Sequence, residues 1–331
     1  MWRDYKYLLA YVIPLAGFLG VHFGGVWSPG SLYVAFLLLP LLELVLPART
    51  GNPAPATETV RAANPFFDWL LYLNLPVLYG IIAYFLFTAT TRDLSAWETA
   101  GMVGNVGLLI GTTGINVGHE LGHRSRPFER WIAQALLLTG LYLHFYIEHN
   151  RGHHKHVATP RDPATSRRGE SLYAFWVRSV VGGYLSAWRL DRAMMRRFTI
   201  VQLLYLATVA VGFGWSGLAL AVGAGVFGFL MLETVNYLEH YGLLRHRNER
   251  GYYEPVRPVH SWNSDHELGR IVLYELTRHS DHHYKSTRKY QTLRRFEESP
   301  QLPTGYPGSM LLALVPPLWF SIMDRRLERY T

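Results

Sequence analysis

Eight of the fifteen histidines in this chain stand in three tight groups. His119 and His123 occur in HELGH, His149, His153 and His154 in HNRGHH, and His279, His282 and His283 in HSDHH. The i, i+4 spacing of the first pair puts both imidazoles on one helical face. His240 stands alone in NYLEHYG, at the end of an apolar run. Imidazole suits iron, zinc and copper. With no cysteine in the sequence, any metal must be held by nitrogen or oxygen, and iron–sulfur clusters, thiolate zinc sites, disulfides and cysteine nucleophiles are excluded. Eight or nine imidazoles exceed what one ion can use, so the count implies two metals with positions left for exogenous ligands. Nitrogen ligation without sulfur, beside an apolar bundle, favours redox-active iron poised to use dioxygen.

HELGH also matches HExxH, the zinc-protease pattern in which two histidines bind zinc and the glutamate activates water. In that reading Glu120 is the indispensable base and six clustered histidines have no role. In the two-metal reading Glu120 is structural or supports a ligand. A histidine-rich metal transporter would need ligands near the bilayer midplane, whereas these sit at helix ends and in basic loops. Asp162, Glu239 and Asp281 lie in or beside the histidine groups and are the carboxylates expected to accept the second ring N–H of ligating histidines, fixing their tautomers. His22, His144, His156, His246, His260 and His266 lack cluster spacing and are read as ordinary polar contacts.

The elements that must position these side chains are apolar. Hydrophobic residues make up 49% and charged residues 17% of the 331 positions, which is too apolar for disorder. Runs of roughly 18 to 20 such residues can cross about 30 Å of hydrocarbon as helix. Candidate spans are Tyr7 to Gly24, Leu32 to Ala48, Trp69 to Thr90, Glu98 to Gly118, Trp131 to Ile147, Phe198 to Trp215 and Leu218 to Leu238. The first is read as a retained span, because no small-residue cleavage site follows it. If the Trp131 helix crossed, the histidines before it and after it would lie on opposite faces of the membrane. A shared site forbids that, so this helix is expected to lie along or dip into the interface, which leaves six crossings. With that topology 31 of the 32 lysines and arginines fall on one side, and the positive-inside rule makes that side cytoplasmic. The formal net charge of +8 then suits anionic headgroups or an acidic protein partner better than nucleic acid. Glu43, inside the second candidate span, is expected to snorkel or to pair with Arg49.

The expected fold is therefore all-α and polytopic, with six transmembrane helices and a cytoplasmic histidine-rich catalytic region. Transmembrane helices 1 to 4 occupy 1–118, histidine groups with an interfacial helix occupy 119–197, transmembrane helices 5 and 6 occupy 198–240, and a cytoplasmic region with the last histidine group occupies 241–331.

Three segments carry a family resemblance. EHNRGHHKHVATPRDPATS from Glu148, LETVNYLEHYGLLR from Leu232 and LYELTRHSDHHYKSTRKYQTLRRF from Leu273 resemble the integral-membrane alkane 1-monooxygenases, of the histidine-box superfamily of membrane fatty acid desaturases and hydroxylases. The likeness continues through SPQLPTGYPGSMLLALVPPLWFSIMD, and PLLELVLPARTGNP around Glu43 is a fainter echo of the second span. Position 124 in HELGHR holds arginine where lysine is frequent in the family. The resemblance implies a non-haem diiron site held by nine histidines, with His240 as the ninth. It implies hydroxylation of the terminal methyl of alkanes to primary alcohols, with dioxygen as co-substrate. The electrons would come from a rubredoxin, itself reduced by a flavin-dependent reductase, since this chain has neither cysteine nor a nucleotide-binding glycine motif. The expected setting is the bacterial inner membrane, with the active site on its cytoplasmic side and substrate drawn from the bilayer. Oxidation of xylene or fatty acyl chains, or desaturation, is the alternative within the superfamily.

Overall fold

The structure, a computed structural model, describes residues 2–330, so Met1 and Thr331, the outer limits of the first and last expected regions, lie outside the described residues. Among those residues regular structure is helical apart from isolated bridges pairing Arg247 with Tyr253 and Asn263 with Gln301. In chain order the helices are α1 (Asp4–Phe23), α2 (Gly30–Val45), α3 (Pro55–Ala63), α4 (Pro65–Thr91), α5 (Ala96–Gly122), α6 (Pro127–Thr139) and α7 (residues 144–156). They continue as α8 (Leu172–Leu190), α9 (Arg192–His240), α10 (Glu267–Val272), α11 (His279–Tyr284), α12 (Tyr306–Ala313) and α13 (Pro316–Leu327). The chain forms two compact units. One comprises Met1–Leu38, Pro65–Tyr146 and Asp191–Leu232, the other Leu39–Asn64, Ile147–Leu190 and Glu233–Thr331.

Four helices are long and apolar enough to cross a membrane: α1, α4, α5 and α9. Unbroken, the 49 residues of α9 would extend about 74 Å, more than twice the hydrocarbon thickness. Helical dihedrals break at Gly214 (φ 69°, ψ −173°), a left-handed conformation that glycine adopts without a Cβ penalty. Each half that results is long enough to span. Beside the break, Val211 and Trp215 are 89% and 83% exposed, which water would penalise and lipid would not. The protein is a multi-pass membrane protein.

Helices in the first unit approach closely through small residues, the usual device where lipid offers no hydrophobic drive to association. A Cβ on Gly107 would meet the Ala224 carbonyl at 2.9 Å. The fully buried Asn105 ties three segments together. Its Nδ2 donates to Gly17 O at 2.9 Å, its Oδ1 accepts from Ser31 N at 2.8 Å, and its carbonyl accepts from Ser31 Oγ at 2.9 Å. The Ser95 and Glu98 capping box starts α5. Pro127 starts α6, where its missing N–H costs nothing. The helix expected over Trp131 to Ile147 is shorter than the hydropathy suggested. Gly140 caps α6 and Leu141 takes φ 53°, so its 13 residues extend only about 20 Å.

The second unit is built on large buried aromatics, among them Trp262, Trp319, Tyr237 and Tyr241. The rings of Tyr237 and Tyr241 each pack against Trp319 with centroids 5.4 Å away. Glu43 corrects its expectation here. It neither snorkels nor pairs with Arg49, because it is buried and its Oε1 accepts from Gly269 N at 3.1 Å, while Arg49 pairs with Glu267 at 2.7 Å. Only glycine fits at 305, since a Cβ there would run into the Glu43 carboxylate.

Candidate metal centre

The second histidine group stands where the α-helix loosens. Residues His149–His153 form a π-helical turn, whose i→i+5 bonding widens the turn by about one residue. That brings His149 and His154, five apart, to an Nε2–Nε2 separation of 3.0 Å. The third group forms α11, a short helix fixed from outside. Ser280 N donates to Asn263 Oδ1 at 2.9 Å and Ser280 Oγ to Ser261 O at 2.9 Å. Arg278, fully buried one residue earlier, donates to Leu293 O and to Gly51 O, each at 2.7 Å. His240 is the last residue of α9 and is completely buried.

Seven histidines of the second unit converge in two groups. In one, His154 Nε2 lies 3.0 Å from His149 Nε2 and 3.1 Å from His282 Nε2. In the other, Nε2 separations run His153–His283 at 3.2 Å, His283–His279 at 2.8 Å and His279–His240 at 3.2 Å. In each group the potential ligand atoms all lie within 4.8 Å of one another. In the first unit, His119 and His123 share the end of α5, their rings perpendicular with centroids 5.1 Å apart.

This donor set fits a pair of metal ions. His153 Nδ1 donates to Asp162 Oδ2 at 2.8 Å. A carboxylate can only accept, so the proton sits on Nδ1 and the Nε2 lone pair is turned into the group. Behind His279, Glu239 Oε1 stands 3.2 Å from Nδ1 and accepts the Tyr306 hydroxyl at 2.8 Å. His153 and His279 thus both turn Nε2 towards His283 Nε2, at 3.2 and 2.8 Å. Burial, reinforced by the neighbouring imidazoles, holds His283 well below the usual histidine range, hence neutral. A cation is the partner that satisfies such converging lone pairs together. Ligation at about 2.0–2.1 Å sets adjacent donor nitrogens about 2.9–3.4 Å apart, close to the separations found.

Two of the three carboxylates named from the sequence stand behind ring nitrogens. Asp162 is braced as well, accepting from Thr165 Oγ1 at 2.6 Å and Ala164 N at 3.0 Å. The third does not. Asp281 lies two residues beyond His279, roughly 200° around the helix, and its oxygens take Arg288 Nη1 at 2.6 and 2.8 Å and Arg294 N at 2.7 Å. It anchors α11 instead of orienting a ring.

Three of the six histidines set aside from the sequence have other partners: His22 Nδ1 lies 2.9 Å from the Tyr84 hydroxyl, His266 Nδ1 3.0 Å from Ser264 Oγ and His260 Nε2 3.4 Å from Glu254. Glu120, the base of the HExxH reading, is gripped by Arg124, with Nη2 at 2.7 Å and Nε at 3.1 Å.

Sequence reasoning passed over Arg278, Tyr306, Glu148 and Glu233. Glu148 and Glu233 are both buried. Burial, then the Asp162 charge, pushes the Glu148 carboxyl up to about 8, against the pull of His153 and with a further push from Glu233. Gly152 leaves the space its carboxylate occupies. No spacing rule marks the roles of Arg278 and Tyr306, because Gly51, Leu293 and Glu239 are distant from them in sequence.

Comparison with known proteins agrees with this chemistry. The fatty acid desaturase family model matches residues 99–310. The alkane 1-monooxygenase of Ectopseudomonas oleovorans is 37% identical over 98% of this chain and 86% of its own length. Alkane 1-monooxygenase 2 of Pseudomonas aeruginosa is 37% identical over 100% and 94%. The xylene/toluene monooxygenase hydroxylase component of Pseudomonas putida is 28% identical over 97% and 88%. With histidines gathered in groups that could hold metal, apolar spanning helices and this likeness along nearly its whole length, the chain belongs to the alkane 1-monooxygenase family, within the histidine-box superfamily of membrane desaturases and hydroxylases.

Proposed function

We propose that this protein hydroxylates the terminal methyl of alkanes to primary alcohols, as a non-haem diiron monooxygenase using dioxygen and two electrons from a rubredoxin. The observation that carries the reading is the pair of all-imidazole groups whose Nε2 atoms face one another at 2.8 to 3.2 Å. The proposed ligands are His149, His153, His154, His240, His279, His282 and His283, together with His119 and His123.

Iron held there supplies the reductive activation of dioxygen that an unactivated C–H bond demands. The chain's own residues do the rest. Asp162 keeps the Nδ1 proton of His153 in place, so that ring stays in the ligating tautomer, and Glu239 stands behind His279 at 3.2 Å. Arg278, Asn263 and Ser261 hold α11 against displacement. An alkane has no polar handle, so its positioning must come from apolar surface reached from the bilayer. The absence of cysteine calls for a separate electron carrier.

In the proposed topology six helices cross the bacterial inner membrane and the histidine groups face the cytoplasm, a reading supported by the 31 of 32 basic residues it gathers on one side. An acidic rubredoxin would meet that basic face.

The test supplies the purified protein with rubredoxin, its reductase, oxygen and medium-chain alkanes, and combines gas chromatography of products with metal analysis. A 1-alkanol and about two irons per chain are expected. An alkene product, or a single zinc, would overturn the reading. Likeness to the xylene/toluene component favours one second reading, oxidation of an aryl methyl group, and p-xylene in the same assay separates the two.

A further inference from the structure

We propose that α8 is an in-plane lipid-binding helix, lying among the headgroups of the membrane face at which α9 begins, with an anionic phospholipid headgroup at its C-terminal end. The sequence pointed to an interfacial helix over Trp131 to Ile147 and offered no such role for residues 172–190.

The helix has two apolar faces, and only one is used inside the protein. Leu172, Phe175, Ser179 and Ala187 are buried. Tyr173, Val177, Val181, Tyr184 and Leu185 are 48%, 68%, 53%, 40% and 46% exposed. Their spacing of i, i+4, i+8, i+11 and i+12 traces one stripe on the side away from the buried residues. A continuous apolar stripe left outside a folded unit marks a contact surface. Tyrosine is at home where its ring meets apolar chains and its hydroxyl meets water.

Covalent geometry ties one end of the helix carrying this stripe to a membrane surface. One residue, Asp191, separates the end of α8 at Leu190 from the start of the spanning helix α9 at Arg192. Asp191 Oδ1 accepts from Met194 N at 2.9 Å, so the joint is a helix N-cap and α9 starts there as a separate helix. The C-terminal end of α8 is thereby tied to within a few ångströms of the point where the chain enters the bilayer.

At the other end, the Tyr173 hydroxyl donates to Leu314 O at 2.8 Å. The turn it grips, between α12 and α13, exposes Leu314 and Val315, and Leu318 in the first turn of α13 is exposed beside them, more apolar surface of the same kind. Charge selects the occupant. Arg189 and Arg192 bracket the joint, and Arg196 follows one turn into α9, all exposed. A row of cations beside an apolar stripe fits an anionic lipid leaflet better than a second copy of the same basic surface.

Because the protein has no cysteine, single-cysteine variants report cleanly. Val177→Cys, Val181→Cys and Leu185→Cys, with Arg189→Cys at the flank, carry a bimane label in the full-length protein in nanodiscs of phosphatidylcholine and phosphatidylglycerol. Stripe positions should be quenched at least twofold more by acyl-brominated lipid than by aqueous iodide, and Arg189→Cys should show the reverse order. Quenching by iodide along the stripe, or protection from both quenchers as a protein partner or second copy would give, overturns the proposal. For the headgroup, lipid retained after mild detergent extraction should be enriched in phosphatidylglycerol, and R189Q/R192Q should lose that enrichment. Unchanged enrichment removes the anionic site. None of these readouts depends on which substrate the enzyme takes.

Discussion

Asp162→Asn is the substitution that most directly probes the metal centre. Asp162 Oδ2 accepts from His153 Nδ1 at 2.8 Å and Thr165 Oγ1 at 2.6 Å, while Oδ1 accepts from Ala164 N at 3.0 Å. Asparagine keeps one acceptor oxygen and gains an NH2. If its oxygen stays on Ala164 N, the NH2 faces the His153 Nδ1–H and Thr165, donor against donor. His153 escapes by moving its proton to Nε2, the atom turned towards His283 at 3.2 Å, and then cannot ligate. If the amide turns the other way, Ala164 N loses its acceptor. Removal of such a partner behind a ligating histidine typically weakens metal binding about 10- to 100-fold, or about 1.4–2.8 kcal/mol. Iron retained after dialysis against a graded chelator series, read by plasma mass spectrometry, should fall from about two per chain towards one at concentrations the parent tolerates. Parent-like retention across the series would refute the tautomer argument, and with it the assignment of His153 as a ligand.

Further outcomes follow from other contacts. Arg124→Gln should destabilise by about 3–5 kcal/mol, because Arg124 bridges the buried carboxylates of Glu120 at 2.7 Å and Asp68 at 3.2 Å; a shift in the denaturation midpoint of the detergent-solubilised protein measures it. Gly305→Ala drives a methyl into the Glu43 carboxylate and should cost about 1–3 kcal/mol as overpacking, read as a lowered melting temperature with an unchanged histidine cluster. Burial raises the Glu170 carboxyl, but the Arg178 fork at 2.6 and 2.7 Å and Arg167 N at 3.0 Å outweigh it and hold the group below its ordinary 4.5. A depressed carboxylate stabilises above its unfolded value and loses that contribution as pH falls through its folded one. The stability gap between the parent and Glu170→Gln, about 1 kcal/mol after screening, should therefore be full at neutral pH and close below about pH 4.5 in melts at graded pH.

The three histidine groups were legible because helical spacing is local: i, i+4 pairs and adjacent residues announce a shared face without knowledge of the fold. His240 was not legible by spacing, since a lone histidine at a helix end carries no periodic signal and only the surrounding residues suggested it. Among the spans, composition marked the apolar runs but misjudged several ends, two of them by running past a helix that stops early. Gly140 and the left-handed Leu141 stop α6 well before Ile147, and α2 ends at Val45, before the expected Ala48. Apolar content alone does not register a backbone that turns. Glu43 failed for a related reason: its acceptor role is filled by Gly269 N, 226 residues away, while the nearest basic residue in sequence was already engaged elsewhere.

The three carboxylates near the histidines show where sequence proximity stops being informative. Asp162, nine residues from His153, reaches it because the loop between them folds back through the Thr165 and Ala164 contacts. Glu239 adjoins His240 but stands behind His279 instead, because neighbours on a helix point about 100° apart. Asp281 sits inside the densest histidine group yet bonds Arg288. The residue best placed by proximity is thus the one that stands behind no ring, and the two that do are brought there by tertiary structure. The same holds for Tyr306 on Glu239 and for Arg278 across Gly51 and Leu293. Ligands can be scattered in short local motifs because each needs only a nitrogen at the right place. Their orientation depends on partners from distant segments, so a substitution at Thr165 or Tyr306, in a stretch with no histidine at all, should be felt at the metal.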